Sequence, residues 1–301
     1  MIADPLLNAD SSGRGLIKLE CHGSAAKFSQ LSAKYPLKLL SPRVSVDGVA
    51  VVYILSYGGG LVGGDTIDVR IEVGRDAVLL LLSQGSTKVF KTRPGRRASQ
   101  DITATTTQAF TTEVKGNGTV LLLPDPVTCF RSASYHQSQV FHLSGAGSAA
   151  ILDWFTSGRK ALGEEWAFTR YHSVNELWVE GKLIAKDAML LEDPSNHPAQ
   201  LSTRGLRERL SPYSCYANLL LYGPVLQPVI QELTALYDRL TVFKRTQPEP
   251  LIWSLSPISG QLGYIVRAAG METEDVKQFL ARALRPLQAV VGEDLYGKTF
   301  L

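Results

Sequence analysis

Tyr57-Gly-Gly-Gly-Leu-Val-Gly-Gly-Asp65 runs straight into Thr66-Ile-Asp-Val-Arg-Ile-Glu-Val73, and the second segment decides how the first is read. The glycine run contains Gly-x-Gly-x-x-Gly, the spacing with which a strand-to-helix turn cradles a dinucleotide pyrophosphate. That reading needs a helix after the turn. Ile67, Val69, Ile71 and Val73 instead alternate with polar residues at the strand period of two. The glycines therefore join two strands, Val49–Ser56 and Thr66–Val73, with Asp65 at the exit. Five glycines in one turn imply a backbone that bends tightly or approaches something closely.

Strand-forming composition spreads outward. Leu16–Cys21, Ala77–Ser83, Ser99–Thr107, Ala109–Lys115, Gly118–Leu123, Ser138–Leu143, Ala149–Phe155, Trp166–Val174 and Asn175–Glu180 are rich in β-branched, aromatic or aliphatic residues and are bounded by turn formers. The threonine-rich run Thr103–Thr112 favours strand because Thr is stiff at χ1 and fits a pleated surface. Gly116-Asn117-Gly118 reads as a hairpin between its flanking strands, since Gly and Asn tolerate positive φ. Two segments depart from this pattern. Val225, Leu226, Val229, Ile230, Leu233, Leu236, Tyr237 and Leu240 recur at three and four, predicting a helix over about 224–245 that opens at Pro224. Phe279, Leu280, Ala283, Leu284 and Leu287 predict a second over about 273–291, with Thr273 as N-cap and Pro286 as a kink or stop. Leu251–Leu255 and Gly263–Ala268 read as strands between them. The expectation is a mainly β fold with two amphipathic helices in its C-terminal third. It forms one domain over 1–301, with residues 1–14 outside the ordered part; no repeat or low-complexity linker divides it.

Composition removes several classes. With 45% hydrophobic and 20% charged residues in 301, the chain can bury a large core. Its apolar runs, such as Ala77–Leu82, fall far short of the ~20 residues that span a bilayer. No basic and apolar leader opens the sequence, so the cytoplasm is the expected location. Three scattered cysteines, Cys21, Cys129 and Cys215, make neither a disulfide framework nor a zinc ribbon and read as reduced thiols. A net charge of +3 does not call for nucleic acid; the one dense basic cluster, Lys88, Lys91, Arg93, Arg96 and Arg97, reads as a solvated turn.

Motifs of catalysis are missing. There is no phosphate-binding Gly-x-x-x-x-Gly-Lys-Ser/Thr and no Gly-x-Ser-x-Gly elbow. His136 and His142 point to one side of a strand but lie ~20 Å apart, too far to share an ion. His22, His172 and His197 read as isolated. Asp65, Asp125, Glu164 and Glu176 sit beside Gly, Pro or Asn, where a carboxylate usually serves a turn or cap. Such oxygens, if they lined a cavity, would also pass a divalent cation weakly.

Taken in order, Tyr57–Asp65, Gln84-Gly-Ser-Thr-Lys-Val-Phe-Lys91, Leu122-Leu-Pro-Asp-Pro126 with Phe130, Trp154, Ser157-Gly-Arg159 and Gly163-Glu164 resemble the urease accessory protein family UreD, called UreH in some systems. Arg207–Tyr216 resembles its eukaryotic, fungal-like members, and the match covers roughly residues 15–300. The resemblance implies a β-helix-like stack of sheets and a non-enzymatic maturation factor. Such a factor binds apo-urease and a UreF-like partner, and through that partner a UreG-like nickel-carrying GTPase. It implies no tightly bound cofactor, nickel being a transient cargo led through a polar internal tunnel. On matching positions the expected nickel contacts are Asp65, Glu164 and Asp125; Thr87, Lys88, Gly60, Gly63, Arg159 and Glu176 are expected to line the tunnel or shape it. Many bacterial members have Pro-Gln-Glu where this chain has Pro124-Asp125-Pro126. On a strand of alternating faces that one-place shift ranks Asp125 behind Asp65 and Glu164.

Two other classes share the strand content. A ligand- or glycan-binding module would gather Trp154, Trp166 and Trp178 in an exposed groove. An all-β hydrolase would set two of Glu164, Glu165 and Glu176 ~5–10 Å apart in a pocket.

Overall fold

The computed structural model describes residues 12–91, 105–192, 204–240, 248–258 and 262–300. Its strands are β1 (Arg14–His22), β2 (Ala25–Ala33), β3 (Leu37–Leu40), β4 (Val49–Ser56), β5 (Thr66–Val73), β6 (Val78–Leu82), β7 (Thr87–Val89), β8 (Thr106–Val114), β9 (Thr119–Leu122) and β10 (Val127–Cys129). There follow β11 (Ser134–Leu143), β12 (Ser148–Thr156), β13 (Gly158–Arg159), β14 (Glu164–Glu165), β15 (Arg170–Val179), β16 (Lys182–Glu192), β17 (Cys215–Tyr222), β18 (Leu251–Ile258) and β19 (Gly263–Gly270). The helices are α1 (Leu206–Leu210), α2 (Gln227–Tyr237), α3 (Thr273–Ala283), α4 (Gln288–Val291) and α5 (Glu293–Thr299).

The chain winds between two sheets. One has seven strands in the order β16-β15-β11-β8-β5-β1-β2, parallel from β15 to β1; the other is ten-stranded, with the path β18-β19-β17-β12-β9-β6-β4-β3, parallel from β12 to β4. Successive strands β4, β5, β6, β8, β9, β11 and β12 alternate between the sheets, which is the β-helix-like stack. Parallel neighbours demand such crossovers, because no two-residue hairpin can return a strand in the same direction.

The corners are tight and stacked. Four residues each, 74–77, 115–118 and 144–147, carry the chain from the seven-stranded to the ten-stranded sheet. Lys115 N–H donates to Val73 O and Ser144 N–H to Val114 O, so each corner hangs on the one before it. Asn117 fastens two of them, accepting from Asp76 N–H at 3.0 Å through Oδ1 and donating through Nδ2 to Asp76 Oδ1 at 2.5 Å. Gly116-Asn117-Gly118 is thus a corner between sheets and not the hairpin the sequence suggests. Gly116 does take the positive φ, but β8 pairs with β5 and β11 while β9 pairs with β6 and β12. Gly118 is required by crowding, since a Cβ there would lie 2.5 Å from Gly74 O.

Other boundaries shift for local reasons. Trp166 has φ +56°, outside extended backbone, so no strand starts there; the two strands expected over 166–180 are the single strand β15, which pairs with β11 in unbroken register from Arg170 to Val179. β16, Lys-Leu-Ile-Ala-Lys-Asp-Ala-Met-Leu-Leu-Glu, is built of good helix formers and is strand through its pairing with β15. The first helix is a 3-10 turn at Pro224–Leu226 leading into α2, which ends at Tyr237; 241–247 lie outside the described residues. The second helix starts one residue away from the expected cap: Glu272 is the N-cap, in a reciprocal capping box with Asp275. α3 ends at Ala283, and a 3-10 turn at Pro286 precedes α4. Of the expected irregular terminus, 1–11 lie outside the described residues, whereas Arg14 already opens β1.

Two apolar layers result. Inner side chains of both sheets, among them Ile17, Val69, Leu79, Phe141 and Phe155, pack between the sheets. α2 to α5 cover the other face of the ten-stranded sheet with Leu233, Val276, Leu280, Leu287 and Leu295 against Leu219, Leu221 and Val266. No helix among the described residues is long and apolar enough to cross a membrane.

Candidate functional site

The inter-sheet layer is not apolar throughout. Strand alternation puts Asp153 of β12 on the same inner face as Ile151 and Phe155. Opposite, β11 turns Tyr135, Gln137 and Gln139 inward, and β15 turns Tyr171, Ser173 and Asn175 inward. Asp153 Oδ2 accepts from Ser173 Oγ at 2.5 Å and Asn175 Nδ2 at 2.7 Å; Oδ1 accepts from Gln137 Nε2 at 3.1 Å and Tyr171 OH at 3.2 Å. All four donors are neutral. Burial raises the Asp153 pKa above the ordinary carboxylate value while these hydrogen bonds pull it down. Among the described residues, the buried oxygens Gln139 Oε1 and Asn175 Oδ1 have no hydrogen-bond partner.

Asp153 faces a cavity of about 50 Å³, large enough for water by the usual measure. Gln108, Gln137, Gln139, Ser83, Thr87 and Asp125 contribute polar groups to its wall, and Leu37, Ile54, Phe110 and Leu152 apolar ones. At this end Asp125 Oδ2 accepts from Gly85 N–H at 2.9 Å and Ser83 Oγ at 3.3 Å, and Asp125 N–H donates to Ser83 Oγ at 2.7 Å. Trp154 Nε1 donates to Pro124 O at 2.7 Å and holds the Pro-Asp-Pro loop on β12. On the far side of Asp153, Asn218 Nδ2 donates to Asp187 Oδ2.

Of the positions singled out from the sequence, Asp125 and Thr87 line this cavity. Asp65 closes its own glycine turn, its Oδ2 accepting from Val62 N–H at 2.8 Å. Gly60 is buried, and a Cβ there would lie 2.4 Å from Phe90 Cε2 and 2.7 Å from Lys88 O, so this glycine answers a close approach. Gly63 lies in the turn between Val62 and Asp65. Lys88 is exposed on the other side of β7 from Val89. Glu164 is gripped by the Arg159 fork at 2.8 and 2.7 Å, with Arg131 Nε at 3.7 Å, which holds its carboxyl below the ordinary range. The Arg159 guanidinium lies 4.2 Å over the Phe130 ring. Glu176 points to the outer face of the seven-stranded sheet, paired with Lys186 at 2.8 Å and accepting from Trp178 Nε1 at 3.0 Å. The structure therefore gathers Asp125 and Thr87 and leaves the other seven positions elsewhere. Asp125 sits in the loop between β9 and β10 and not on a strand, so alternation of faces does not turn it away from the cavity.

Asp153 escaped the sequence reading. Its signal is a lone carboxylate at an inward position of an otherwise apolar strand, Ala149-Ala-Ile-Leu-Asp-Trp-Phe155. Its partners lie on strands whose register no single sequence reveals. His172 is not isolated: the parallel register sets it beside His136, rings 4.7 Å apart, and burial lowers both imidazole pKa values. His197, Arg93, Arg96 and Arg97 lie outside the described residues. All three cysteines are free, and burial pushes the Cys215 thiol up to about 12. No group of three His, Cys, Asp or Glu able to cage a metal occurs among the described residues. Trp154 and Trp166 are buried, so the three tryptophans form no exposed groove. Glu164, Glu165 and Glu176 each face a cation, Arg159, Arg207 and Lys186 respectively.

Comparison with known proteins places this architecture. The model of the UreD urease accessory protein family matches residues 11–296. A urease accessory protein 4 from Cryptococcus neoformans var. grubii is 35% identical over 309 residues, covering 95% of this chain and 94% of that protein. A urease accessory protein D from Oryza sativa subsp. indica is 31% identical, covering 97% and 98%. A urease accessory protein UreD from the bacterium Sorangium cellulosum is 34% identical, covering 96% and 85%. Matched over nearly its whole length by the family model and by fungal, plant and bacterial relatives, the chain belongs to the UreD family of urease accessory proteins, and its role lies in urease maturation.

Proposed function

We propose that the chain is a non-enzymatic scaffold that passes nickel toward apo-urease through the polar space between its sheets. It would receive the metal by way of UreF-like and UreG-like partners. The observation that carries this reading is Asp153, a carboxylate at the cavity wall whose four donors are all neutral. An anion held between the sheets without a counter-charge is costly, and a visiting cation relieves that cost. The donor set suits a cargo: carboxylate, amide and hydroxyl oxygens hold a borderline divalent ion loosely, whereas imidazoles and thiolates would retain it. The path runs from Asp125 through Gln137, Gln139 and Asp153 toward Asn218 and Asp187. Asp65 and Glu164 take shaping roles, their oxygens being engaged by Val62 N–H and by Arg159.

Docking surface is available beside the cavity. Ser56 and Leu61 line it, and their chain neighbours Tyr57 and Val62 are exposed together with Tyr35, whose ring lies 5.7 Å from that of Tyr57. Clustered exposed apolar residues of this kind mark partner surfaces.

The test is reconstitution of apo-urease with nickel, bicarbonate, GTP and the UreF- and UreG-like partners. Activation should require this chain and fall at least about tenfold with Asp153→Asn, while the complex still assembles and Asp65→Asn activates normally. Activation that proceeds without the chain removes the scaffold reading; full activation by Asp153→Asn removes the passage.

A further inference from the structure

A cation path needs an exit, and the polar groups between the sheets end at a charge of the wrong sign. Asp153 on β12 stands opposite Asn218 on β17, and Asn218 opposite Arg267 on β19. On the facing sheet Asn175 of β15 stands opposite Asp187 of β16. Side chains close the gap between these rows. Asn175 Nδ2 reaches Asp153 Oδ2 at 2.7 Å, Asn218 Nδ2 donates to Asp187 Oδ2, and Arg267 Nη2 donates to Asp187 Oδ1 at 2.7 Å.

This is the border between interior and solvent. β16 ends the seven-stranded sheet, and β19 is next to the last strand of the other. The Asp187 side chain is 15% exposed and that of Arg267 51%. Two amide oxygens along the row, Asn175 Oδ1 and Asn218 Oδ1, are buried and have no partner among the described residues; Asn175 and Asn218 are only 3% and 7% exposed. Buried acceptors left unpaired are uncommon, and each is a ready ligand for a positive charge.

We propose that Asp187, with Asn218 Oδ1, is the last oxygen site of the passage, and that Arg267 is its resident counter-ion, so that a divalent cation reaches Asp187 only by displacing the guanidinium. The inference rests on reading the inter-sheet groups as a cation passage. Arg267 suits the task because its charge does not titrate away and its exposed half gives it solvent to swing into. The same ion pair ties two sheets together at an edge, so a purely structural strut is the rival role.

Calorimetric titration of nickel(II) into the full-length chain separates the two. Arg267→Gln should tighten nickel binding about tenfold, because a unit positive charge a few Å from the site repels a dication. Arg267→Lys, which keeps the charge, should bind nearly as the parent does, and adding Asp187→Asn to Arg267→Gln should cancel the gain. A strut alone predicts a lower melting temperature for Arg267→Gln with no gain in affinity, and that result overturns the proposal. If Arg267→Gln is silent while Asp153→Asn weakens binding, the passage stands and the counter-ion role falls. If Asp153→Asn is silent as well, the passage reading itself fails.

Discussion

The space between the two sheets and the space between the ten-stranded sheet and its helices are filled with the same aliphatic residues, yet they differ in what else they admit. Under the helices, Leu219, Leu221, Leu233, Val276 and Leu280 meet in a layer where polar side-chain atoms bond singly to backbone, as Ser148 Oγ accepts from Val225 N–H and Tyr296 OH donates to Ala281 O. Between the sheets, Gln137, Gln139, Ser173, Asn175 and Asn218 are as buried as their aliphatic neighbours, and a carboxylate stands among them. An apolar layer maximises stability; a layer with a polar seam gives up some of it for something else. The contrast teaches where to look for function in a fold with no catalytic motif: in the layer that breaks the packing rule.

That contrast can be broken by mutation. Leu233→Ala, in the helix-covered layer, should destabilise the protein by about 2–5 kcal/mol in urea unfolding. A loss under about 1 kcal/mol would mean that this layer is loosely packed and the comparison false. Ser173→Ala removes one of the four donors to Asp153 and should cost about 1.5–3 kcal/mol near neutral pH, where the carboxylate needs it most. Equal losses at acid and neutral pH would show that the hydroxyl serves packing and not the charge.

A pH series on Asp153→Asn sharpens the point. Because burial raises the Asp153 pKa, the folded state binds the proton more tightly than the unfolded one. Stability of the parent should therefore fall as pH rises from the ordinary carboxylate range through the raised value. The Asn variant should lack that decline and be about 1 kcal/mol more stable above it. An unchanged pH profile would place the charge cost elsewhere. Smallest of all, Glu176→Gln breaks an ion pair with Lys186 on the outer face and should shift stability by no more than about 0.5 kcal/mol, with urease activation unaltered. A marked loss of activation would restore Glu176 to the functional positions.

Much of the fold is legible in the sequence because burial on one face imposes a period of two. β5 has the bounds that alternation predicts, and β4 those that its run of β-branched and aliphatic residues predicts. The pattern does not say which strands pair, so the corner at Gly116-Asn117-Gly118 looks like a hairpin: both need positive φ, and only the stacking of a neighbouring coil distinguishes them. β2 is an exposed edge whose period is broken by a register shift at Ser29, and β17 is largely apolar on both faces, so neither alternates cleanly. The candidate site is less legible for a related reason. Carboxylates beside glycine and proline attract attention, yet Asp65 and Glu164 are there to fasten turns. The decisive group sits mid-strand, and its partners come from strands sixteen or more residues away, at Gln137, Tyr171, Ser173 and Asn175.

The four-residue corners carry one more implication. Each hangs on the previous one by a backbone hydrogen bond, so the chain can gain or lose nothing along that edge without throwing the next coil out of register. The opposite edge carries β7, β10, the β13–β14 ladder and the Pro124-Asp125-Pro126 loop between strands of unequal spacing. Relatives that differ in length should therefore differ there, and an engineered tag or fused domain should be tolerated there and rejected at the corners.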